Sequence, residues 1–315
     1  MKYKNQTQLF KNKTIGKKYK LVGKVNNINQ GENFKNVEVL LPEKFAINMK
    51  LDMNSQIPFI EKIYIFEFIY TKKDDKNILL CQKFESIENV LNLKEIYKFY
   101  SYFFQCSPIS FDNIEKNIKN YLCKIENEIL YQITNNLFIK NKNKFLTIPA
   151  AFKMHHNYYG GLGHHTITML KLSEVFLETY PFLNKDLLHS GIILHDMAKI
   201  KEFDFVNKTY TKEGILLGHL ISGVNNIHEE ACLLGIQNTE EILSLKHLII
   251  SHHGFLEYGA AKKPQISEAL LLWFLDDMDA KFNSIETKIK KTEKGNFSEP
   301  LSVVDKKCFY KPNLE

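Results

Sequence analysis

The chain contains no arginine; all 42 of its basic residues are lysine. Phosphate contacts must therefore come from lysine point charges, backbone N–H groups or a metal, not from bidentate guanidinium forks. Cysteine is sparse and scattered (Cys81, Cys106, Cys123, Cys232, Cys308), with no CxxC pair. That spacing argues against a disulfide framework and a thiolate zinc site, and for a reducing, cytoplasmic setting. No apolar run approaches the roughly eighteen residues of a membrane span. Met1 to Lys24 is polar and lysine-rich, without the apolar stretch of a secretory signal. Residues 1–31 hold eight lysines and no acidic residue, an arm that suits a polyanionic partner or serves as a solvated tail. Histidine is missing from the first 154 and the last 62 residues; all eleven lie between His155 and His253. Such clustering assigns imidazole chemistry to one part of the chain, and metal binding is its commonest use. What remains is ordinary for a globular protein: 315 residues, 44% hydrophobic, 25% charged, net charge +6.

Residues 17–29 alternate apolar and polar around Gly23, which predicts a half-buried strand. Gly31-Glu32-Asn33 reads as a turn, Phe34 to Leu41 as a second strand ended by Pro42, and Phe45 to Leu51 as a short third. Lys62 to Tyr70 is aromatic and β-branched; a charged turn over Lys72 to Asn77 leads to a fifth strand, Ile78 to Phe84. Five short strands in about 70 residues predict a small OB-like β-barrel. Such a barrel binds single strands through basic and aromatic side chains on one face. Lys17, Lys18, Lys20 and Lys24, with Tyr64 and Phe66, are the candidate nucleic-acid contacts. The competing reading makes Tyr64, Phe66, Phe68 and Tyr70 one core-facing row. From Leu93 the period becomes helical, over Leu93 to Phe104 and Phe111 to Lys140, with Asp112 as N-cap of the second stretch and a break at Asn141 to Lys144. Several helices with Gly-marked loops fill 151–284, and no internal repeat is present.

His195-Asp196 closes an apolar helical run, Leu187 to Leu194, and Met197-Ala198-Lys199 follows. Successive helical residues diverge by about 100°, so the pair can grip one ion when other helices complete its shell. Alone, the dipeptide is a chance pattern; its surroundings give it weight. Gly160 to Thr166 opens an amphipathic helix that carries His165 near its start. Gly218-His219 and Ser251-His252-His253-Gly254 add imidazoles, and Asp276-Asp277-Met278-Asp279 places Asp276 and Asp279 on one helix face. Mixed imidazole and carboxylate ligation suits Mn, Fe, Zn, Co or Ni, and admits Mg where carboxylates dominate. Lys199, four residues beyond His195, can reach a phosphate on such an ion. The implied chemistry is metal-assisted hydrolysis, with no serine or cysteine nucleophile.

The ordered H…HD…D pattern resembles the HD phosphohydrolase superfamily, an all-helical fold. The chain is more closely similar to the YhaM-type 3′-to-5′ exoribonucleases, bacterial proteins with an N-terminal OB-fold and a C-terminal HD domain. The residues that carry this are Phe145-Leu146-Thr147 with Pro149-Ala150-Ala151, His155-His156, Gly160-Gly161-Leu162 and His165-Thr166. They continue with His195-Asp196-Met197-Ala198-Lys199-Ile200 and Glu202, Tyr210-Thr211 with Glu213-Gly214, Leu216-Leu217-Gly218-His219, His247 to Gly254, and Glu268-Ala269 through Asp276 to Lys281. Over the first 90 residues the likeness is one of architecture and length. Five positions depart from the family: Tyr159 stands for a usual Arg, Gly163-His164 for Leu-Glu, Ala198 for Gly and Trp273 for His. None removes a core ligand, but without the family's arginine the resemblance does not carry over the details of phosphate or RNA contact.

The resemblance implies a multidomain α and β chain: barrel with basic arm over 1–90, helical connector over 91–148, all-α HD helical bundle over 149–286, tail over 287–315. It implies His165, His195, Asp196 and Asp276 as core metal ligands, with Asp277 and Asp279 competing for the last place. His219, His252 and His253 would hold a second ion or contact phosphate, and Lys199, His219 and Asp196 would act in catalysis. His155, His156 and His164 stand evenly between site and scaffold; His189, His228 and His247 read as structural or surface residues. The implied cofactor is Mn²⁺, with Mg²⁺, Co²⁺ or Fe²⁺ as alternatives, as one or two ions. The implied substrate is single-stranded RNA, with single-stranded DNA left open, for a cytoplasmic protein with no membrane contact and with homo-oligomerisation admitted. The main alternative is an HD phosphohydrolase of nucleotides or cyclic dinucleotides, with the barrel as a regulatory module; a binding protein with a decayed hydrolase is disfavoured by the intact ligands.

Overall fold

The computed structural model describes residues 14–73, 76–151, 156–204 and 209–314. The start of the basic arm, residues 1–13, and His155 lie outside the described residues. The chain divides into two compact units, Met1–Gln105 and Cys106–Glu315.

The first unit is built on five strands: β1 (Lys18–Gln30), β2 (Phe34–Leu40), β3 (Ala46–Asp52), β4 (Ile63–Lys73) and β5 (Lys76–Ser86). They close into a ring in the order β1-β2-β3-β5-β4. Every pairing is antiparallel except β3 with β5, which run parallel at Lys50 and Leu80. Period-two patterning turns Leu21, Val37, Val39, Met49, Leu51, Phe66 and Phe68 inward, where each is essentially fully buried. Closure leaves no long open edge, which a five-strand sheet this apolar would otherwise expose. The β4–β5 hairpin is longer than the charged stretch Lys72 to Asn77 predicts, with Lys72 opposite Asn77 in register; charged side chains at a solvated hairpin end do not oppose pairing. Two helices follow, α1 (Ile87–Val90) and α2 (Leu93–Phe103), the second started by a capping box between Asn92 and Glu95.

Burial corrects part of the expected nucleic-acid face. Tyr64 is 5% exposed and Phe66 is not exposed at all, both inside the barrel core, so the core reading of this row holds for them. Lys24 is also buried: its amine pairs with Glu61 at 2.9 Å and lies over the Phe104 ring. Lys20 pairs with Glu67 at 2.5 Å. Lys17 and Lys18 remain exposed.

The second unit is helical: α3 (Phe111–Leu122), α4 (Glu128–Thr147), α5 (Gly161–Thr179), α6 (Lys185–Leu194), α7 (Lys199–Glu202), α8 (Lys212–Leu216), α9 (Gly218–Leu234), α10 (Glu240–Ser251) and α11 (Ser267–Ile289), with a two-residue ladder, β6 (Phe203–Asp204) and β7 (Thr209–Tyr210). The predicted helix over Phe111 to Lys140 is two helices. Asp186 accepts from the backbone N–H groups of Glu126 and Asn127, and the Asn127 side chain caps α4 at Leu130. Ser110, not Asp112, is the N-cap of α3; Asp112 sits in its first turn. The expected break at Asn141 to Lys144 is absent: Asn141 donates to the Leu137 carbonyl, and burial of Phe145 and Leu146 carries α4 through. At the centre lies α6, whose residues Leu187 to Leu194 are all buried among α4, α5, α10 and α11. A helix that is apolar all round belongs in a core, so the His195-Asp196 pair at its end is delivered to the interior. No helix among the described residues is long and apolar enough to cross a membrane.

Candidate metal centre

His195 and His252 reach the centre by the same local device. Each is the C-cap of its helix, α6 and α10, in right-handed helical conformation. The last turn of a helix leaves carbonyls without intrahelical partners. The His195 Nδ1–H donates to Ile192 O at 2.8 Å, and the His252 Nδ1–H donates to Ile249 O at 2.7 Å. With Nδ1 committed as donor, each ring turns the Nε2 lone pair inward. Both residues are fully buried, and neither Nε2 has a hydrogen-bond partner among the described residues.

His165 arrives from the second turn of α5. That helix starts at Gly160, whose φ of +76° is left-handed, and at Gly161, where a Cβ would lie 2.0 Å from the His156 carbonyl oxygen. Only glycines let the helix start press against the His156 turn. His165 Nε2 lies 3.1 Å from Asp276 Oδ1 and 4.0 Å from Asp196 Oδ2. Its Nδ1 donates to Asp279 Oδ2 at 2.5 Å. Burial pushes the His165 imidazole down, but the hydrogen bonds of Asp276 and Asp279 outweigh it and raise its pKa above the usual imidazole value while no cation shares the site. Burial raises the Asp276 carboxyl, and the His165 contact overrides it, leaving the group well below the carboxylate range.

Asp196 turns its two oxygens to different neighbours. Oδ2 accepts from Lys199 Nζ at 2.6 Å and lies 3.3 Å from His195 Nε2. Oδ1 is 3.5 Å from His219 Nε2 and 3.8 Å from His252 Nε2, with no hydrogen-bond partner among the described residues. Burial raises the Asp196 carboxyl, but the Lys199 ammonium and the adjacent His195 ring outweigh it and hold it well below the carboxylate range. His219, at the start of α9, is fixed by Glu202, which accepts from Nδ1 at 2.9 Å; Nε2 lies 3.2 Å from His253 Nε2. The His253 Nδ1–H donates to Tyr258 O at 3.0 Å. Burial holds both His252 and His253 below the usual imidazole range, neutral and ready to donate.

Among the described residues, four overlapping groups of side chains have ligand atoms close enough to hold an ion: His165/His195/Asp276, His195/Asp196/His252, His219/His252/His253 and His156/His165/Asp279. The first three contain all seven expected metal residues. The fourth is a hydrogen-bonded scaffold behind His165. Asp279 Oδ2 accepts from both His165 Nδ1 and His156 Nε2, the latter at 2.7 Å. The Tyr158 hydroxyl then links His156 Nδ1, at 2.6 Å, to His164 Nδ1, at 2.7 Å. Asp277 points elsewhere, paired with Lys281 at 2.6 Å. Glu202, Tyr158 and the bridging place of Asp279 were not assigned from the sequence. The spacing of Asp279 from Asp276 was its only signal, and no spacing relates Glu202 to His219 across 17 residues.

The remaining histidines are scattered in role. His189 is fully buried, edge-on to Tyr121. His247 accepts from the Gln265 N–H, and His228 lies beside Lys246 and Cys232. Lys17, Lys18, Lys20, Lys24, Tyr64 and Phe66 belong to the first unit and are not among these groups.

Residues 162–281 match the model of the HD domain family, whose members are metal-dependent hydrolases. The match begins at the start of α5 and runs past the last aspartate, so it contains all seven residues. Among solved structures, a chain of a replication protein A heterotrimer bound to ssDNA is similar at 9% identity over 27% of this chain and 66% of that one, with a TM-score of 0.21.

Proposed function

We propose that the protein is a metal-dependent 3′-to-5′ exoribonuclease. The observation that carries a metal-dependent hydrolase is the convergence of His195 Nε2, His252 Nε2 and Asp196 Oδ1, buried polar atoms with no hydrogen-bond partner among the described residues. Leaving such atoms unsatisfied costs on the order of 1–3 kcal/mol each, and a divalent cation is the ligand that imidazole lone pairs and carboxylates satisfy together. The donor set therefore fits the group that the HD family implies.

His165, His195, Asp196 and Asp276 would hold a first ion. His219, His252, His253 and the second oxygen of Asp196 would hold another or face the phosphate. Such an ion acidifies water and offsets the charge that builds on phosphoryl oxygens. Asp279 keeps the hydrogen of His165 on Nδ1, and Glu202 does the same for His219. The Lys199 ammonium, anchored on Asp196, supplies the fixed positive charge that this arginine-free chain has for a phosphoryl oxygen. The donor set admits several divalent ions; the choice of Mn²⁺ among them follows the resemblance.

The strand as substrate is supported by the closed five-strand barrel carried in the same chain and by exposed Lys17 and Lys18 beside it; a hydrolase of free nucleotides needs neither. The test supplies purified protein and Mn²⁺ with 5′-end-labelled single-stranded RNA. A ladder shortening from the 3′ end is expected, and Asp196→Asn should abolish it. Activity confined to free or cyclic nucleotides would overturn this substrate.

A further inference from the structure

The chain has one tryptophan, Trp273. It stands one turn before Asp276 on α11, so the two side chains share a helix face. A row of rings surrounds it. Phe274 stacks on Trp273 with centroids 4.7 Å apart, Phe255 meets the indole edge-on at 4.9 Å, and Tyr258 meets Phe255 edge-on at 5.7 Å. The row is fastened to the imidazole side of the centre as well. Gly254, between His253 and Phe255, has φ +75° and lies so close to the indole that a Cβ would sit 2.2 Å from Cε2. Tyr258 gives its carbonyl to His253. The rings thus adjoin the centre along both segments that supply it here, the end of α10 and the middle of α11.

A core would bury such rings. Here Tyr258 is 69% exposed, Phe274 47% and Phe255 41%, a concentration that marks a contact surface more than chance. The loop from this row to α11 carries Lys262 and Lys263, both exposed, whose charge complements a polyanion. Flat rings beside a centre suited to phosphate, with cations alongside, match a nucleotide: its phosphate at the centre and its base on the rings.

We propose that Phe255, Tyr258, Trp273 and Phe274 form a stacking platform for the nucleobase of the nucleotide being released. This rests on the exoribonuclease reading and adds to it the base contact. Stacking uses the π-face common to all four bases, so the platform requires a base but tolerates its identity.

The lone tryptophan makes the platform directly observable. In Mg²⁺ buffer, adenosine 5′-monophosphate should change Trp273 emission saturably, whereas ribose 5-phosphate, the same phosphate without a base, should not. Tyr258→Ala removes a mostly exposed side chain and should weaken the nucleotide response on the order of tenfold; Phe182→Ala, an exposed ring outside the row, should leave it intact. In parallel, RNA with an abasic 3′-terminal residue should be shortened on the order of tenfold more slowly in its first step than intact RNA. Equal fluorescence responses to both phosphates, or equal first steps on intact and abasic RNA, would overturn the platform while leaving the exoribonuclease reading standing. A base-dependent response without shortening of any strand would overturn that reading and support a platform that serves free nucleotides.

Discussion

At the scale of single residues, the two aspartates three apart on α11 do different work. Asp276 faces His165 Nε2 and has 18% of its side chain exposed at the centre, whereas Asp279 sits behind His165 and bridges it to His156. Asp276→Asn should therefore remove a ligand and abolish uptake at the first position. Asp279→Asn should leave uptake measurable but weaker by about 10–100-fold, the usual effect of losing an outer hydrogen-bond partner. A Mn²⁺ competition titration against a chelating dye separates them; equal losses would make Asp279 a ligand. His189 offers a test away from the metal. Burial, only partly offset by Glu174, holds its pKa down to about 4. The folded value lies below the unfolded one, so the unfolded chain takes the proton first. Stability should accordingly fall as pH drops from about 6.5 to 4, and level off below, by up to about 3 kcal/mol. His189→Leu should flatten that part of the curve in urea titrations across pH; parallel curves for the two proteins would refute the assignment.

At the scale of elements, helix ends build the site. α6 and α10 end on histidines that bond back to their own last turns, α5 begins on glycines, and α9 begins beside His219. Placement is thus set by backbone geometry and not by long, mobile side chains. Gly161→Ala tests this: the added carbon meets the backbone oxygen of His156 at 2.0 Å and the backbone nitrogen of Ala150 at 3.1 Å, and neither yields as a flexible side chain would. A loss of about 1–3 kcal/mol is expected, with weaker Mn²⁺ uptake because His165 lies one turn on. Both the denaturation midpoint and the titration should move together. Strand starts were legible from periodicity, since β1 to β4 start within a residue of the pattern breaks. The division of α3 from α4 was not. It depends on Asp186, some 60 residues away, capturing the N–H groups of Glu126 and Asn127, and no local propensity encodes that.

At the scale of the molecule, the division into two compact units predicts more than one cooperative unfolding step. A divalent ion at the proposed centre would bind only the folded helical unit, so chelation should lower one calorimetric transition and leave the other in place. At an ion concentration a hundred times Kd the stabilisation is about 2.7 kcal/mol, or roughly 5–10 °C for a unit of this size. Movement of both transitions together would mean that the units unfold as one.

The sequence by itself determined the order of elements, the chemistry of the donor set and its confinement to one unit, because periodicity and residue type are local properties of the chain. Only the tertiary structure decided which atoms converge. Asp276 was separated from Asp279 by where α11 meets α5, and Glu202 was brought to His219 by the packing of α7 against α9. Tyr64 and Phe66 share a composition with nucleic-acid-binding rings; the closure of the sheet turned them inward. Phe255, Tyr258 and Phe274 carry no local mark of their role, and it is packing around Gly254 and Trp273 that holds them together beside the centre and in water.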